Sequence, residues 1–190
     1  MLQRTNFIWL LGIFLLVRMV AMVVIPFADT TEPRYAEIAR LMMTTNDWVT
    51  PWFEPGMPFG GKPPLSFWAQ AISFKLFGVN EFAGRLPALL SFIATAWMLW
   101  RLAVSVVNTQ VAAASLVVYS GMVLTFLAAG TVMTDPYLTL GTTWAMVAFY
   151  LAPKENVWYW RYGFFIGLGI GLLAKGPLAL VISGAPIGLW

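Results

Sequence analysis

The 190-residue chain is 60% hydrophobic and only 10% charged, with a mean hydropathy of +0.78. Such a chain lacks the polar side chains to cover a water-solvated globule, so lipid is its main solvent. It has no cysteine and no histidine, which excludes disulfides, thiolate chemistry and imidazole-based catalysis or metal ligation within it; a net charge of +3 on so apolar a chain is no signature of nucleic-acid binding.

A spanning helix needs roughly twenty apolar residues. The first such run covers residues 7–27, just after Arg4, and is too long for the core of a cleaved leader, so it reads as a retained span. A loop over 28–81 follows and holds most of the charge. Within it Tyr35, Ile38, Ala39 and Met42 fall at i, i+3, i+4 and i+7, while Arg34, Glu37 and Arg40 point elsewhere, which predicts an amphipathic helix lying at the membrane interface. After a Pro/Gly/Trp-rich stretch, a second, nearly all-apolar helix is predicted over 65–77, opened by Pro64 and closed by Gly78. Further spans are predicted near 86–107, 111–129, 137–151, 159–174 and 178–190. The loops between them are short, so neighbours should be antiparallel. The last run reaches Trp190 without a stop signal, and more spans are expected beyond it.

Each crossing reverses the side on which the next loop emerges. The long loop, the turn over 130–136 and Lys175 therefore fall on one side of the membrane. Asp29, Glu32, Arg34, Lys62, Asp135 and Lys175 gather there from most of the chain. The positive-inside rule does not orient the chain, because both faces carry Lys and Arg.

The ordered motifs are Asp29-Thr-Thr-Glu-Pro-Arg-Tyr-Ala-Glu-Ile-Ala-Arg40, Asn46-Asp-Trp-Val-Thr-Pro51, Gly61-Lys-Pro-Pro-Leu65, Phe74-Lys-Leu-Phe-Gly-Val-Asn-Glu-Phe82, Arg85-Leu-Pro87, Met133-Thr-Asp-Pro136 and Ala174-Lys-Gly-Pro177. Together they resemble the aminoarabinose transferase and protein O-mannosyltransferase group of membrane glycosyltransferases. The resemblance implies an all-α, polytopic helical bundle of the C-type glycosyltransferase fold, with amphipathic juxtamembrane helices in its first periplasmic loop. It also implies a cytoplasmic N-terminus, a bacterial inner-membrane location and an active site facing the periplasm. The implied activity is transfer of a sugar from a polyprenyl-phosphate carrier to a lipid (lipid A-like) or protein acceptor.

Such a reaction needs a cation to stabilise the departing lipid phosphate and a carboxylate to take a proton or orient the reactants. Asp29 and Glu32 are candidates for the first carboxylate. Their spacing is also that of a capping box, but Pro33 disfavours Asp29 as the cap, and a cap at Thr30 or Thr31 leaves Asp29 outside the helix. Set against Arg34-Tyr35, the family's acidic pair falls on Thr31-Glu32, so either Asp29 or Glu32 carries the role. Asp135 is the second carboxylate, and with Pro136 behind it also suits a helix cap. Lys62, between Gly60-Gly61 and Pro63-Pro64, matches the position used for the lipid phosphate; a solvated loop lysine is the plain alternative. Arg34 and Tyr35 are weaker phosphate or sugar contacts, Arg34 being equally suited to pair with Glu37. Lys175 is a further contact or a lysine snorkelling from a helix end.

Zinc-binding relatives place an acidic residue just before the phosphate lysine. Gly61 stands there, so no metal site or other cofactor is expected in this segment, and a divalent metal would take its ligands outside it. Arg18, in the middle of the first span, belongs to no motif. An unpaired cation there costs about 2.5–3.5 kcal/mol on insertion scales, so it should meet a buried carboxylate or a phosphate. The rival readings are a secondary transporter and a non-catalytic membrane scaffold. The concentration of charge in one loop, away from the bilayer midplane, favours an enzyme at the surface.

Overall fold

The computed structural model describes residues 4–28, 30–54 and 56–189. Its elements are α1 (Arg4–Val24), α2 (Thr31–Thr45), β1 (Trp52–Glu54), β2 (Met57–Pro58), α3 (Leu65–Phe77), α4 (Glu81–Val106), α5 (Thr109–Gly121), α6 (Val123–Ala128), α7 (Asp135–Leu151), α8 (Trp158–Arg161), α9 (Gly163–Lys175) and α10 (Leu178–Gly188). α1 packs on α4 and α5, α4 on α5 and α7, and α7 on α9 and α10, while α2 and α3 pair and rest on α4.

Helix occupies every apolar run, but with different ends. α1 stops at Val24, ahead of Pro26. α4 starts five residues before the expected 86, because the Asn80 side chain caps it by accepting from the Ala83 N–H at 2.8 Å. That start places Pro87 inside the helix, where it removes the bond to the Ala83 carbonyl. The freed carbonyl, fully buried, accepts instead from Ser73 Oγ of α3 at 2.6 Å, so the proline defect becomes a tie between two helices.

The expected third helix is two, α5 and α6, divided at Met122, whose ψ of 128° is extended. The fifth is likewise divided at Tyr162 into α8 and α9. Only Phe7–Val24 and Glu81–Val106 are, among the described residues, long and apolar enough to cross a bilayer; α9 and α10 are shorter apolar helices.

The loop helices form as the periodicity predicts. Ile38, Ala39 and Met42 of α2 are wholly buried against Phe67 and Ala71 of α3, with Tyr35 and Phe74 completing the cluster. The Pro/Gly/Trp-rich stretch adds an antiparallel β1–β2 hairpin, pairing Trp52 with Pro58 and Glu54 with Met57, that periodicity did not predict. Asp47 organises its approach. Oδ1 accepts from the Val49 and Thr50 N–H groups, both at 3.0 Å, and Oδ2 from Trp52 Nε1 at 2.8 Å. These bonds, led by that from Thr50, hold the Asp47 carboxyl below its usual range. Trp68 Nε1 then donates to the Trp48 carbonyl at 2.7 Å, fastening the stretch to α3.

α7 and α9 meet backbone to backbone. A Cβ built on Gly141 would lie 2.5 Å from the Gly171 nitrogen and 2.6 Å from the Gly167 carbonyl oxygen; one on Gly167 would lie 2.5 Å from the Ala145 nitrogen. Gly163, Gly167 and Gly171 thus form a small-residue stripe at four-residue spacing, the pattern that lets helices approach closely in lipid. Gly169, on another face of α9, has nothing within 4 Å. Gly141→Val should therefore cost at least about 1–3 kcal/mol by overpacking, read as a lower thermal midpoint in detergent, whereas Gly169→Ala, which meets no neighbour and gains helix propensity, should not lower it.

Candidate functional site at the loop-side helix ends

The chain concentrates its buried charge where α1 ends, α2 begins, α4 begins and the 129–134 turn leads into α7. Glu32 and Arg85 are each only 3% exposed. Arg85 Nε donates to Glu32 Oε1 at 3.0 Å and Nη2 to Oε2 at 2.7 Å, a forked ion pair. The remaining donors go to main-chain oxygens at the end of α1: Nη1 to Met22 at 3.2 Å and Ile25 at 2.5 Å, Nη2 to Pro26 at 3.1 Å. Phe27 covers the guanidinium at 5.0 Å. On the other side, the Val132 N–H donates to Glu32 Oε1 at 2.9 Å. Both Glu32 oxygens are thus occupied. Sequence reasoning placed Arg85 in a motif without giving it a task. Its burial beside a carboxylate from fifty-three residues away becomes visible only in three dimensions.

Of the expected site residues, Asp29 lies outside the described residues. Asp135 and Lys175 meet directly: Lys175 Nζ donates to Asp135 Oδ1 at 2.6 Å, with the Asp135 side chain 52% and the Lys175 side chain 21% exposed. Convergence from forty residues apart agrees with the crossing count. The expected cap is corrected, since Thr134 holds the cap position and Asp135 opens the first turn of α7, its carboxylate turned to Lys175. Asp135 also lines a cavity of about 230 Å³ walled by Phe92, Tyr119, Leu124 and Thr139.

Tyr35 is buried, its ring edge-on to Phe67 at 5.3 Å and to Phe59 at 5.9 Å. Burial raises its phenol above the ordinary range; the Arg34 guanidinium opposes this, and the Asp135 carboxylate is close enough to add to it. Tyr35 accordingly presents a neutral hydroxyl at neutral pH. Phe59, held by Tyr35 and Phe67, leads through Gly60 and Gly61 to Lys62, and a Cβ on Gly61 would come within 2.7 Å of the Phe59 ring. Half-buried Lys62 makes no hydrogen bond or ion pair to a described residue.

Arg34 does not pair with Glu37. Arg40 takes that carboxylate with bonds of 2.7 Å and depresses it, whereas Arg34 lies over the Phe53 ring at 5.8 Å. Arg34 lines a cavity of about 500 Å³ with Phe53, Glu37 and Arg40, whose lining shares no residue with that of the Asp135 cavity. Among the described residues no three His, Cys, Asp or Glu side chains come together, so these residues do not fit a metal centre of that type.

The helical bundle has two helices long and apolar enough to cross a membrane, a paired-helix loop and charge gathered at one end, and its superposition on solved structures gives it the C-type glycosyltransferase fold of membrane proteins. ArnT from Cupriavidus metallidurans superposes in its apo form with a TM-score of 0.84 at 21% identity, over 96% of this chain and 35% of that one. Its form bound to undecaprenyl phosphate gives 0.81 at 22% identity, over 96% and 34%. The chain belongs to the dolichyl-phosphate-mannose-protein mannosyltransferase family, whose pattern matches residues 61–188. Undecaprenyl phosphate-alpha-4-amino-4-deoxy-L-arabinose arabinosyl transferase of Yersinia pestis (strain Pestoides F) is 33% identical over 162 residues, covering 80% of this chain and 28% of its own. The same-named protein of Serratia proteamaculans (strain 568) is 34% identical over 163 residues, with the same coverage. The chain thus spans just over a quarter of the length of these relatives.

Removing one member of a buried ion pair leaves the other charge uncompensated, at a cost of about 3–5 kcal/mol. Glu32→Gln and Arg85→Gln should each lower the thermal midpoint sharply in detergent, and the combined Glu32→Leu, Arg85→Met protein should unfold later than either.

Proposed function

We propose that the chain forms the donor-side half of the active site of a membrane glycosyltransferase. The enzyme transfers a sugar from a polyprenyl-phosphate carrier to a lipid A-like or protein acceptor at the periplasmic face of a bacterial inner membrane. The observation that carries this reading is the Asp135–Lys175 contact, made at the same end of the bundle as the loop bearing Lys62 and Arg34. The six-span arrangement belongs to the same reading, with α5–α6, α7, α9 and α10 completing their crossings in the assembled enzyme.

Bond breaking at the anomeric carbon moves charge onto the carrier phosphate. Lys62 and Arg34, neither of which has a carboxylate partner among the described residues, are the cations that receive it, Arg34 lying over the Phe53 ring. Asp135 orients the acceptor or removes the proton from its hydroxyl as the new glycosidic bond forms, and Lys175 holds its carboxylate in place. Tyr35, neutral at working pH, would serve as a hydroxyl donor to substrate. Glu32, with both oxygens engaged, positions α2 and the 129–134 turn, which leaves Asp29 as the other carboxylate able to act chemically. Any divalent ion in the enzyme draws its ligands from outside the described residues.

With full-length protein and a polyprenyl-phosphate sugar, Lys62→Ala should reduce kcat by about 10²–10³-fold, the loss expected when one fixed stabiliser of transition-state charge is removed. Asp135→Asn should reduce it by about 10²–10⁴-fold, the usual worth of a positioned acid or base. Product formation from labelled donor is the readout, and undiminished turnover in Lys62→Ala would overturn the phosphate assignment.

A further inference from the structure

Arg18 takes no part in that mechanism and is nonetheless buried, 6% exposed, on a helix whose other side is open apolar surface from Ile8 to Val24. It sits six residues before the end of α1, about 9 Å down the axis. Nη2 donates to the Leu127 carbonyl at 2.7 Å, and Phe126 lies under the guanidinium at 5.2 Å. Nε is buried without a hydrogen-bond partner among the described residues. Gly130 is small because a Cβ there would run into the Arg18 guanidinium.

Beside this side chain is a cavity of about 220 Å³ whose wall also includes Arg85, Glu32 and Thr131. Among the described lining residues, two guanidiniums and one carboxylate leave one positive charge in excess. Glu32 cannot neutralise Arg18, because its oxygens are taken by Arg85 and the Val132 N–H. The rim is formed by Ile25 and Leu127, each about half exposed on the apolar side of the bundle. An uncompensated cation beside an empty space, with an apolar rim near the helix end, is a receptor for an anion carried on an apolar body.

We propose that this cavity binds a phosphate group, presented by a phospholipid of the loop-side leaflet, at a second anion site distinct from the Lys62 and Arg34 cations. The phosphate completes the coordination of Arg18 and supplies the missing negative charge. Lys62, Arg34, Asp135 and Lys175 are not among its described lining residues, so the site does not depend on the transfer reading.

The test uses the full-length protein in nanodiscs of phosphatidylcholine with or without a minor fraction of phosphatidic acid. Native mass spectrometry after mild delipidation counts retained phosphatidic acid, and thermal unfolding reports its effect. The unsubstituted protein should retain one phosphatidic acid and unfold later in its presence. Arg18→Gln should retain about tenfold less, the loss expected for a charge-assisted hydrogen bond to the ligand, and Arg18→Lys should fall between. Thr131→Glu brings a tethered carboxylate to the cavity. It should abolish retention and the lipid-dependent shift while unfolding no earlier than the parent in phosphatidylcholine alone, which keeps the test valid if Arg18→Gln folds poorly.

Lys62→Ala should bind as the parent does; if Lys62→Ala loses the lipid and Arg18→Gln keeps it, the anion belongs at the transfer site and the proposal falls. Inorganic phosphate in detergent distinguishes the sources. If it reproduces the full shift and phosphatidic acid adds nothing, the lipid part of the proposal fails. Equal retention by the parent, Arg18→Gln and Thr131→Glu would overturn it altogether.

Discussion

The forked ion pair between Glu32 and Arg85 is the contact on which the loop-side architecture depends. Two charges removed from water are tolerated only when every donor and acceptor is used. Here that requirement pulls together chain segments far apart in sequence: the carbonyls ending α1, the first turn of α2, the first turns of α4 and the N–H of Val132 in the turn before α7. Because α2 is anchored this way at one end and by the Ile38–Met42 cluster along its length, it cannot drift freely over the lipid surface as an isolated amphipathic helix would. Arg34 and Tyr35, just after Glu32 in that first turn, inherit a fixed orientation.

Charges in this chain fall into two groups. Arg101 with Glu155 at the opposite end, Arg40 with Glu37, and Arg85 with Glu32 are satisfied within the protein. Lys62, Arg34 and Arg18 have no carboxylate among the described residues. Satisfied pairs hold the scaffold. The Asp135–Lys175 pair stands between the groups, made but with its carboxylate half open to solvent.

Much of this was legible beforehand. The 3.6-residue period of Tyr35, Ile38, Ala39 and Met42 marked the buried face of α2, and counting crossings brought Asp135 to Lys175, because both are consequences of local pattern and parity. Glu32, a candidate reacting carboxylate from the sequence, has both oxygens bonded to Arg85 and the Val132 N–H, and nothing in its own neighbourhood of sequence announces Arg85. The early start of α4 was missed because Pro87 looks like a helix boundary, and only Ser73 on another helix makes its interior position tolerable. The β1–β2 hairpin was missed because side chains such as Asp47 build it, not alternating hydrophobicity. Hydropathy located helix throughout but not the breaks at Met122 and Tyr162, which interrupt apolar runs without changing their composition.

The glycine stripe between α7 and α9 has a consequence for how this fold can diversify. Asp135 opens one of these helices and Lys175 closes the other, and the interlocked backbones behave like meshed gear teeth, fixing how far each tip projects relative to its neighbour. Neither helix can slide by a turn or rotate by a residue without its mate. Descendants of this sequence would therefore vary by reshaping the loops and the outer walls of the cavities, while the spacing between carboxylate and ammonium is carried along as a fixed gauge.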